Sequence, residues 1–213
     1  MDDISPYLVY ATVAVEDKDF FNHSCFDYSR IAGAVLADLK AGSKVQGAST
    51  LTQQYARNLY LTHEKTWNRK INEALFAYRL ELFYSKEEIL EGYLNTVYYG
   101  HGMYGVEAAS RYFYGKSAKD LTLAEASMLA GVPKGPTYYS PLNNLEKATN
   151  RQHVILRLMN EQGKITDDEK TRATTEQVAL KSDQWIATKS IAPYFLDVVW
   201  DEASEILQSK NLS

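Results

Sequence analysis

Apolar positions recur at helical spacing along most of the chain, and strict alternation of apolar and polar residues is nearly absent. The clearest case is the segment 68–84, where apolar residues occupy more than one side of a helical projection. This spacing predicts a helix over 68–84 that is central and buried. Its apolar residues are Ile71, Leu75, Tyr78 and Leu82 on one stripe, and Phe76, Leu80 and Phe83 further round.

Residues that favour helix ends divide the rest of the chain into further helices. A serine or threonine three residues before a glutamate predicts a capping box at Ser85 with Glu88, Thr122 with Glu125, and Thr166 with Glu169. A first helix is predicted to begin at Ser5 and Pro6 and to end near Val15. Further helices are predicted to begin at Asn144 and at Pro193, and others to end at Gly100 and Gly163. The segment 133–141 is predicted to form an ordered turn. The number of predicted helices indicates a mainly α fold.

Composition narrows the class of protein. The 213 residues suit one domain with a substantial core. Basic residues dominate between Lys40 and Arg79, which predicts an anionic ligand. The overall net charge of −4 argues weakly against a general nucleic-acid binder. Because Cys25 is the single cysteine, an internal disulfide and a thiolate metal cluster are excluded. The segment 38–49, rich in glycine, serine and lysine, predicts an exposed loop beside a site.

Two acidic residues close the first predicted helix, in the stretch AVEDKDFFNH at residues 14–23. Glu16 follows an apolar run, so its carboxyl group should be partly desolvated, which makes a carboxylate a better base. The alternative is that Glu16 and Asp17 end a helix on the surface, and spacing alone leaves both open.

The stretch STLTQQYARN, residues 49–58, concentrates hydroxyl, amide and guanidinium groups. Thr50, Gln54, Arg57 and Asn58 share one side of a helix and suit a phosphate or a sugar. Gly47 and Ser49, just before the helix, also predict an N-terminus open to anions. The alternative is an exposed polar face.

A third cluster lies in NRKINE, residues 68–73, where Arg69 and Lys70 can both approach Glu73 along the helix. An ordinary surface ion pair is the alternative. Two carboxylates with cations between them suggest transfer chemistry at a sugar or phosphate. A Walker-type glycine loop is absent from the sequence, and His23 and His101 lack metal-ligand spacing, so both histidines are interpreted as structural.

Five blocks in order give the chain a family resemblance: EDKDFFNHSCF, QGASTLTQQ, RKINE, KEEILEGYLNTVYYG and AASRYFYGKSAKDLTLAEASMLAGVPKGP, spanning residues 16–136. The chain resembles the peptidoglycan glycosyltransferase domain of family 51, found in class A penicillin-binding proteins and monofunctional transglycosylases. The resemblance implies a lysozyme-like large helical lobe and a small mobile jaw lobe at about residues 26–46.

The resemblance also implies a domain organisation. Residues 1–190 would form the glycosyltransferase domain, and 191–213 a C-terminal helix or linker towards a transpeptidase domain. The chain would then be an excised part of a multifunctional enzyme of cell-wall biogenesis and cell shape. Its place would be the outer face of the bacterial cytoplasmic membrane, with the anchor outside this chain.

The implied reaction is polymerisation of lipid II into β-1,4-linked glycan strands, with inversion at the anomeric carbon and release of undecaprenyl pyrophosphate. Glu16 matches the catalytic base and Glu73 the second catalytic glutamate, at the pyrophosphate, with Lys70 or a divalent cation (Mg²⁺ or Mn²⁺) as alternatives there; no cofactor is firmly implied. Implied partners are lipid II, the growing strand, the membrane surface, the inhibitor moenomycin and other cell-wall synthesis proteins. The substrate-binding positions would be Asp17, Ser49, Thr50, Gln53, Gln54, Arg57, Asn58, Arg69 and Lys70.

Other matching positions are interpreted as structural: Phe20 and His23 would fix the turn after Glu16, and Glu91 and Asn95 belong to the fourth block. Cys25 departs from the family, which usually has glycine there; a positive φ at this position would cost a cysteine about 1–2 kcal/mol. Ala48 stands at a second position where the family commonly has glycine.

Two rival functions remain: a lysozyme-like lytic enzyme that cleaves glycan, and a non-enzymatic scaffold that binds cell-wall precursors.

Overall fold

The computed structural model describes residues 1–23, 49–60 and 67–181, and its regular elements there are helices. They are α1 (Pro6–Glu16), α2 (Leu51–Tyr60), α3 (Trp67–Phe83), α4 (Lys86–Thr96), α5 (Val106–Tyr114), α6 (Leu123–Gly131), α7 (Pro136–Tyr139), α8 (Leu145–Glu161) and α9 (Asp167–Thr175), with 3-10 turns at Ala118–Asp120 and Val132–Lys134. The prediction of a mainly α fold is confirmed. The predicted jaw lobe, Cys25, Ala48 and the segment 191–213 lie outside the described residues.

Two groups of helices carry the site. In the first group, α1 packs against α6 and α8 and contributes the fully buried Leu8 and Ala11 to the core. In the second, α2 packs against α3 and α4. Since Glu16 ends α1 and the donor-rich stretch forms α2, the candidate site lies where these two groups meet.

The predicted capping boxes are confirmed at all three positions: at each one the hydroxyl accepts from the glutamate N–H, and the glutamate accepts from the capping residue. Asn144 also caps α8 as predicted. Ser5 differs, because its hydroxyl donates to the carbonyl oxygen of Leu121 (3.1 Å) instead of capping α1. The start of α1 is thereby tied to the turn before α6.

Helix α3 forms as predicted, but the prediction that it is central and buried is wrong. The stripe of Ile71, Leu75, Tyr78 and Leu82 is 53–58% exposed. The buried line is narrower and consists of Glu73, Ala77 and Leu80, because α3 packs mainly on one side, against α2. None of the helices in the described ranges is both long enough and apolar enough to cross a membrane.

The prediction that a helix ends at Gly100 is also wrong. Helix α4 ends at Thr96, and the chain then makes a tight turn in which Tyr98 and Tyr104 form an isolated β-bridge. The Gly105 N–H donates to the Val97 carbonyl oxygen (2.9 Å), which closes the turn. Gly163, in contrast, follows α8 with φ of +67°, as expected for a glycine after a helix.

Candidate active site

Glu16 and Asp17 are adjacent in sequence but have different environments. Glu16, the last residue of α1, is half-buried and accepts a hydrogen bond from Nε2 of Gln54 (3.0 Å). The Asp17 side chain is fully buried. Of the two carboxylates, Glu16 is therefore the one that a ligand can reach.

Asp17 holds two segments together. One of its oxygens accepts from Nε2 of His23 (2.8 Å), and the other accepts from the Leu51 N–H at the start of α2 (3.0 Å). Phe20, also fully buried, packs edge-on against the His23 ring. This geometry agrees with the structural interpretation of Phe20 and His23. It also gives Asp17 a positioning role, because both oxygens of its buried carboxylate accept hydrogen bonds within the protein, and its predicted role in substrate binding stays a prediction.

Thr50 and Gln53 cap α2 reciprocally. The Thr50 N–H donates to the Gln53 amide oxygen, and the Gln53 N–H donates to the Thr50 hydroxyl, both at 3.3 Å. The sequence TLTQ has the capping-box spacing, with glutamine in place of glutamate, so a signal for this cap was present in the sequence although the cap was not predicted.

These caps change the expected anion site. The first-turn N–H groups of Leu51 and Gln53 are already occupied by Asp17 and Thr50. The prediction of an open, anion-binding N-terminus at α2 is therefore wrong for these two donors. The predicted anion would therefore have to be held by cationic side chains.

Lys70 links the start of α2 to α3. Its Nζ donates to the Ser49 hydroxyl (2.9 Å) and forms an ion pair with Glu73. The Glu73 side chain is only 1% exposed, whereas 47% of the Lys70 side chain is exposed. Glu73 is therefore a buried carboxylate whose ammonium partner still faces outward. The Arg69 side chain lies outside the described residues.

The remaining polar residues of α2 follow a gradient of exposure. Gln54 and Arg57 are half-buried, and Asn58 is exposed. Burial and the charge of Glu16 raise the pKa of the Tyr93 phenol, and the positive charge of Arg57 opposes that rise, so Arg57 lies within electrostatic reach of Tyr93. The structure thus places the Gln54 amide against Glu16 and puts Arg57 within electrostatic reach of Tyr93, whereas Asn58 shares only the helix with them.

Two buried tyrosines lie near Glu16 and were not among the predicted site residues. Burial raises the pKa of Tyr93 well above its usual range, and the negative charge of Glu16 raises it further. The same two causes, in the same order, raise the pKa of Tyr99. Both phenols therefore stay protonated across the physiological range. Tyrosines among apolar residues are more often core residues, so the sequence offered little signal for them.

A second unpredicted network supports the start of α2. The fully buried Thr52 donates from its hydroxyl to Glu81 of α3 (2.6 Å), and Lys86 donates to the same oxygen (2.7 Å). The Lys86 ammonium also lies 4.5 Å from the centre of the Phe20 ring, a cation–π distance. The network joins α2, α3 and the turn after Glu16.

The described residues do not by themselves fit a resident metal ion. One oxygen of the Glu73 carboxylate is paired with the Lys70 ammonium, and that positive charge disfavours a second cation beside it. Within the described ranges, no three His, Cys, Asp or Glu side chains are grouped to hold a metal. The divalent cation stays a prediction.

Comparison with known proteins gives the family of the chain. A family model described as Transglycosylase matches residues 1–160. Penicillin-binding protein 2D of Bacillus subtilis (strain 168) is 57% identical over 92% of this chain, and penicillin-binding protein 1A of Aquifex aeolicus (strain VF5) is 41% identical over 93%. A crystal structure of penicillin-binding protein 1A from Haemophilus influenzae covers 62% of this chain and 16% of its own, at 30% identity and a TM-score of 0.43.

The chain spans only 28% and 27% of the lengths of the first two relatives, so their complete architecture is not represented in it. The match nevertheless covers residues 1–160, which include every residue of the candidate site. The chain therefore belongs to the transglycosylase family, as a glycosyltransferase domain of the type found in class A penicillin-binding proteins.

Proposed function

We propose that this domain polymerises lipid II into β-1,4-linked glycan strands, with inversion at the donor anomeric carbon and release of undecaprenyl pyrophosphate. The observation that carries the proposal is the arrangement about α2: an accessible carboxylate, Glu16, is held on one side, and the outward-facing Lys70 ammonium is held at its start. This arrangement offers a base for an acceptor hydroxyl and a cation for an anionic leaving group.

In the proposed step, Glu16 takes the proton of the acceptor 4-hydroxyl as that oxygen attacks the donor anomeric carbon. The new C–O bond forms on the face opposite the leaving group, so the configuration inverts. The bond between the anomeric carbon and the pyrophosphate oxygen breaks, and its electron pair leaves with the pyrophosphate. Lys70 and Arg57 stabilise the developing negative charge.

Glu73 acts in this proposal by holding Lys70. A buried carboxylate paired with a half-exposed ammonium fixes the direction of the ammonium, and the Ser49 hydroxyl fixes it from a second side. Replacing Glu73 should therefore displace the Lys70 ammonium that binds the pyrophosphate in this proposal.

The proposed location is the outer face of the bacterial cytoplasmic membrane, with lipid II, the growing strand and the membrane surface as partners.

The test is polymerisation of fluorescent lipid II by the wild-type protein, by Glu16→Gln and by a control, Glu146→Gln. Glu146 is an exposed carboxylate in the first turn of α8. We expect a ladder of products from wild type and Glu146→Gln, and none from Glu16→Gln. A ladder from Glu16→Gln would remove Glu16 as the base, and release of fragments from finished peptidoglycan would favour the lytic alternative.

Moenomycin, a donor-site mimic by family resemblance, should inhibit polymerisation and bind in the same region. Arg57→Ala and Lys70→Ala should each weaken its binding, because each removes a positive charge from the proposed pyrophosphate site. Unchanged affinity in both variants, measured by fluorescence anisotropy of a labelled moenomycin, would refute the cationic assignment.

A further inference from the structure

Gln54 stands between the proposed base and a buried phenol. Its Nε2 donates to Glu16 Oε2 at 3.0 Å, and its Oε1 lies 3.5 Å from the hydroxyl oxygen of Tyr93, a long hydrogen bond. Tyr93 lies on α4, Gln54 on α2 and Glu16 at the end of α1. The Gln54 amide of α2 therefore contacts a residue of α1 and a residue of α4.

The chemistry of the two neighbours fixes which way the amide faces. An ionised carboxylate only accepts hydrogen bonds, so the NH₂ group of Gln54 must face Glu16. The amide oxygen then faces Tyr93, whose hydroxyl can donate to it. Because the Tyr93 side chain is 1% exposed and its phenol stays protonated, this donor is present throughout the physiological pH range.

Close packing fixes the distance between α2 and α4 at this point. A Cβ atom at Gly92, beside Tyr93, would lie 2.3 Å from the hydroxyl oxygen of Tyr55, the neighbour of Gln54. The two helices can approach this closely because residue 92 has no side chain. The Tyr93 hydroxyl is thus held beside the Gln54 amide by the packing of both helices.

We propose that Tyr93 is a positioning residue for the reaction: its buried hydroxyl holds the Gln54 amide so that the amide NH₂ group orients the Glu16 carboxylate. The proposal rests on the proposed role of Glu16 as the base. It also assigns Gln54 a task besides substrate binding, which is to aim the base at the acceptor hydroxyl.

The first test compares Tyr93→Phe with Tyr99→Phe. Both substitutions delete one hydroxyl from a tyrosine that is 1% exposed and near Glu16, but only Tyr93 is placed against Gln54. We expect kcat of Tyr93→Phe to fall on the order of tenfold, part of the 10²–10⁴-fold that general base catalysis typically contributes, with KM unchanged. The acidic limb of its kcat/KM profile should move to higher pH, since the ionised carboxylate loses an oriented donor.

Tyr99→Phe should keep the wild-type pH profile and kcat. Equal losses in both variants would overturn the proposal, because they would indicate general packing. Wild-type kinetics in Tyr93→Phe would overturn it as well. Thermal melting of both variants shows whether either substitution has unfolded the protein.

A second measurement does not depend on activity. In the wild-type protein, the side-chain amide ¹H–¹⁵N signals of Gln54 should shift as the pH is lowered and Glu16 takes up a proton. In Tyr93→Phe this shift should shrink, because the amide is no longer held against the carboxylate, and an undiminished shift would refute the proposal. If wild type forms no glycan, the proposed function fails, whereas the amide signals still decide whether Tyr93 positions Gln54.

Discussion

The Asp17 carboxylate accepts a hydrogen bond from the backbone N–H of Leu51, 34 residues further along the chain, at 3.0 Å. Its other oxygen accepts from His23. One buried side chain thus joins the residues after α1 to the first residue of α2. The placement of Gln54 against Glu16, the proposed base, depends on this contact, since the two residues lie on the two helices that Asp17 joins.

Asp17→Ala should lower the free energy of unfolding by about 1–3 kcal/mol, because it leaves the buried Leu51 N–H group and the partly buried His23 imidazole without this acceptor. Urea denaturation measures the change. Asp19→Ala is a matched control, since the Asp19 carboxylate is 45% exposed and lies 3.7 Å from Lys18; its effect should stay within about 0.5 kcal/mol. Similar losses in the two variants would contradict the positioning role.

Lys70→Met should destabilise the protein by about 1–3 kcal/mol, because it removes the ammonium partner of the buried Glu73 carboxylate. Lys119→Met is the control: that ammonium is 59% exposed and 3.7 Å from Asp3. It should cost less than about 0.5 kcal/mol. If both variants unfold at the same urea concentration, Glu73 does not depend on Lys70 for its charge balance.

Gly105→Ala should be more destabilising than Gly102→Ala. Both glycines have positive φ, +80° and +76°, so both alanine variants should bear about 1–2 kcal/mol of backbone strain. At Gly105 a Cβ atom would also lie 2.5 Å from the Asn95 carbonyl oxygen, whereas at Gly102 nothing lies within 4 Å. Overpacking should add about 1–3 kcal/mol at Gly105 alone. Equal unfolding midpoints would show that the turn relaxes without cost.

Stability should fall in acid partly through Glu107. Burial alone would raise the pKa of this carboxyl group, but hydrogen bonds from Ala118, Ser117 and Arg111 lower it below its usual 4.5. The unfolded chain therefore binds the proton more readily. The contribution of Glu107 is fully present above pH 4.5 and is lost as the pH falls through the lower value of the folded state.

Glu107→Gln should accordingly lower the urea midpoint more at about pH 7 than in acid below the lowered folded-state pKa of Glu107, where the wild-type carboxyl group is uncharged too. A difference between variant and wild type that does not change with pH would contradict this role of Glu107. Since the side chain is 44% exposed, added salt should reduce the effect.

Local signals in the sequence predicted the helices well, because capping boxes act within four residues. Ser85 with Glu88 is such a case, and the structure reproduces it. The buried side of α3 could not be predicted in this way. Apolar spacing identifies a stripe such as Ile71 and Leu75, but the helices that pack against α3 determine which side is covered, and they cover Glu73 and Ala77 instead.

The candidate site shows the same division. Glu16 and Glu73 could be singled out because Glu16 follows an apolar run, Glu73 lies within helical reach of Lys70, and both fall in the sequence blocks that carry the family resemblance. The contacts that hold these residues could not be predicted, because they join residues far apart in sequence. Lys70 contacts Ser49 at a separation of 21 residues, and Tyr93 contacts Gln54 at a separation of 39. Such contacts arise from tertiary packing. They leave no periodic signal in a single sequence.

Helix α1 ends with Glu16, is followed directly by Asp17, and has no basic residue in its last turn. The C-terminus of a helix carries partial negative charge, so a carboxylate there is unfavourable by about 0.3–1 kcal/mol. On the proposed function, the protein gives up some stability to keep the carboxylate of Glu16 at this position. Glu16→Gln should consequently melt at a higher temperature than wild type while forming no glycan, so that its inactivity could not be attributed to unfolding.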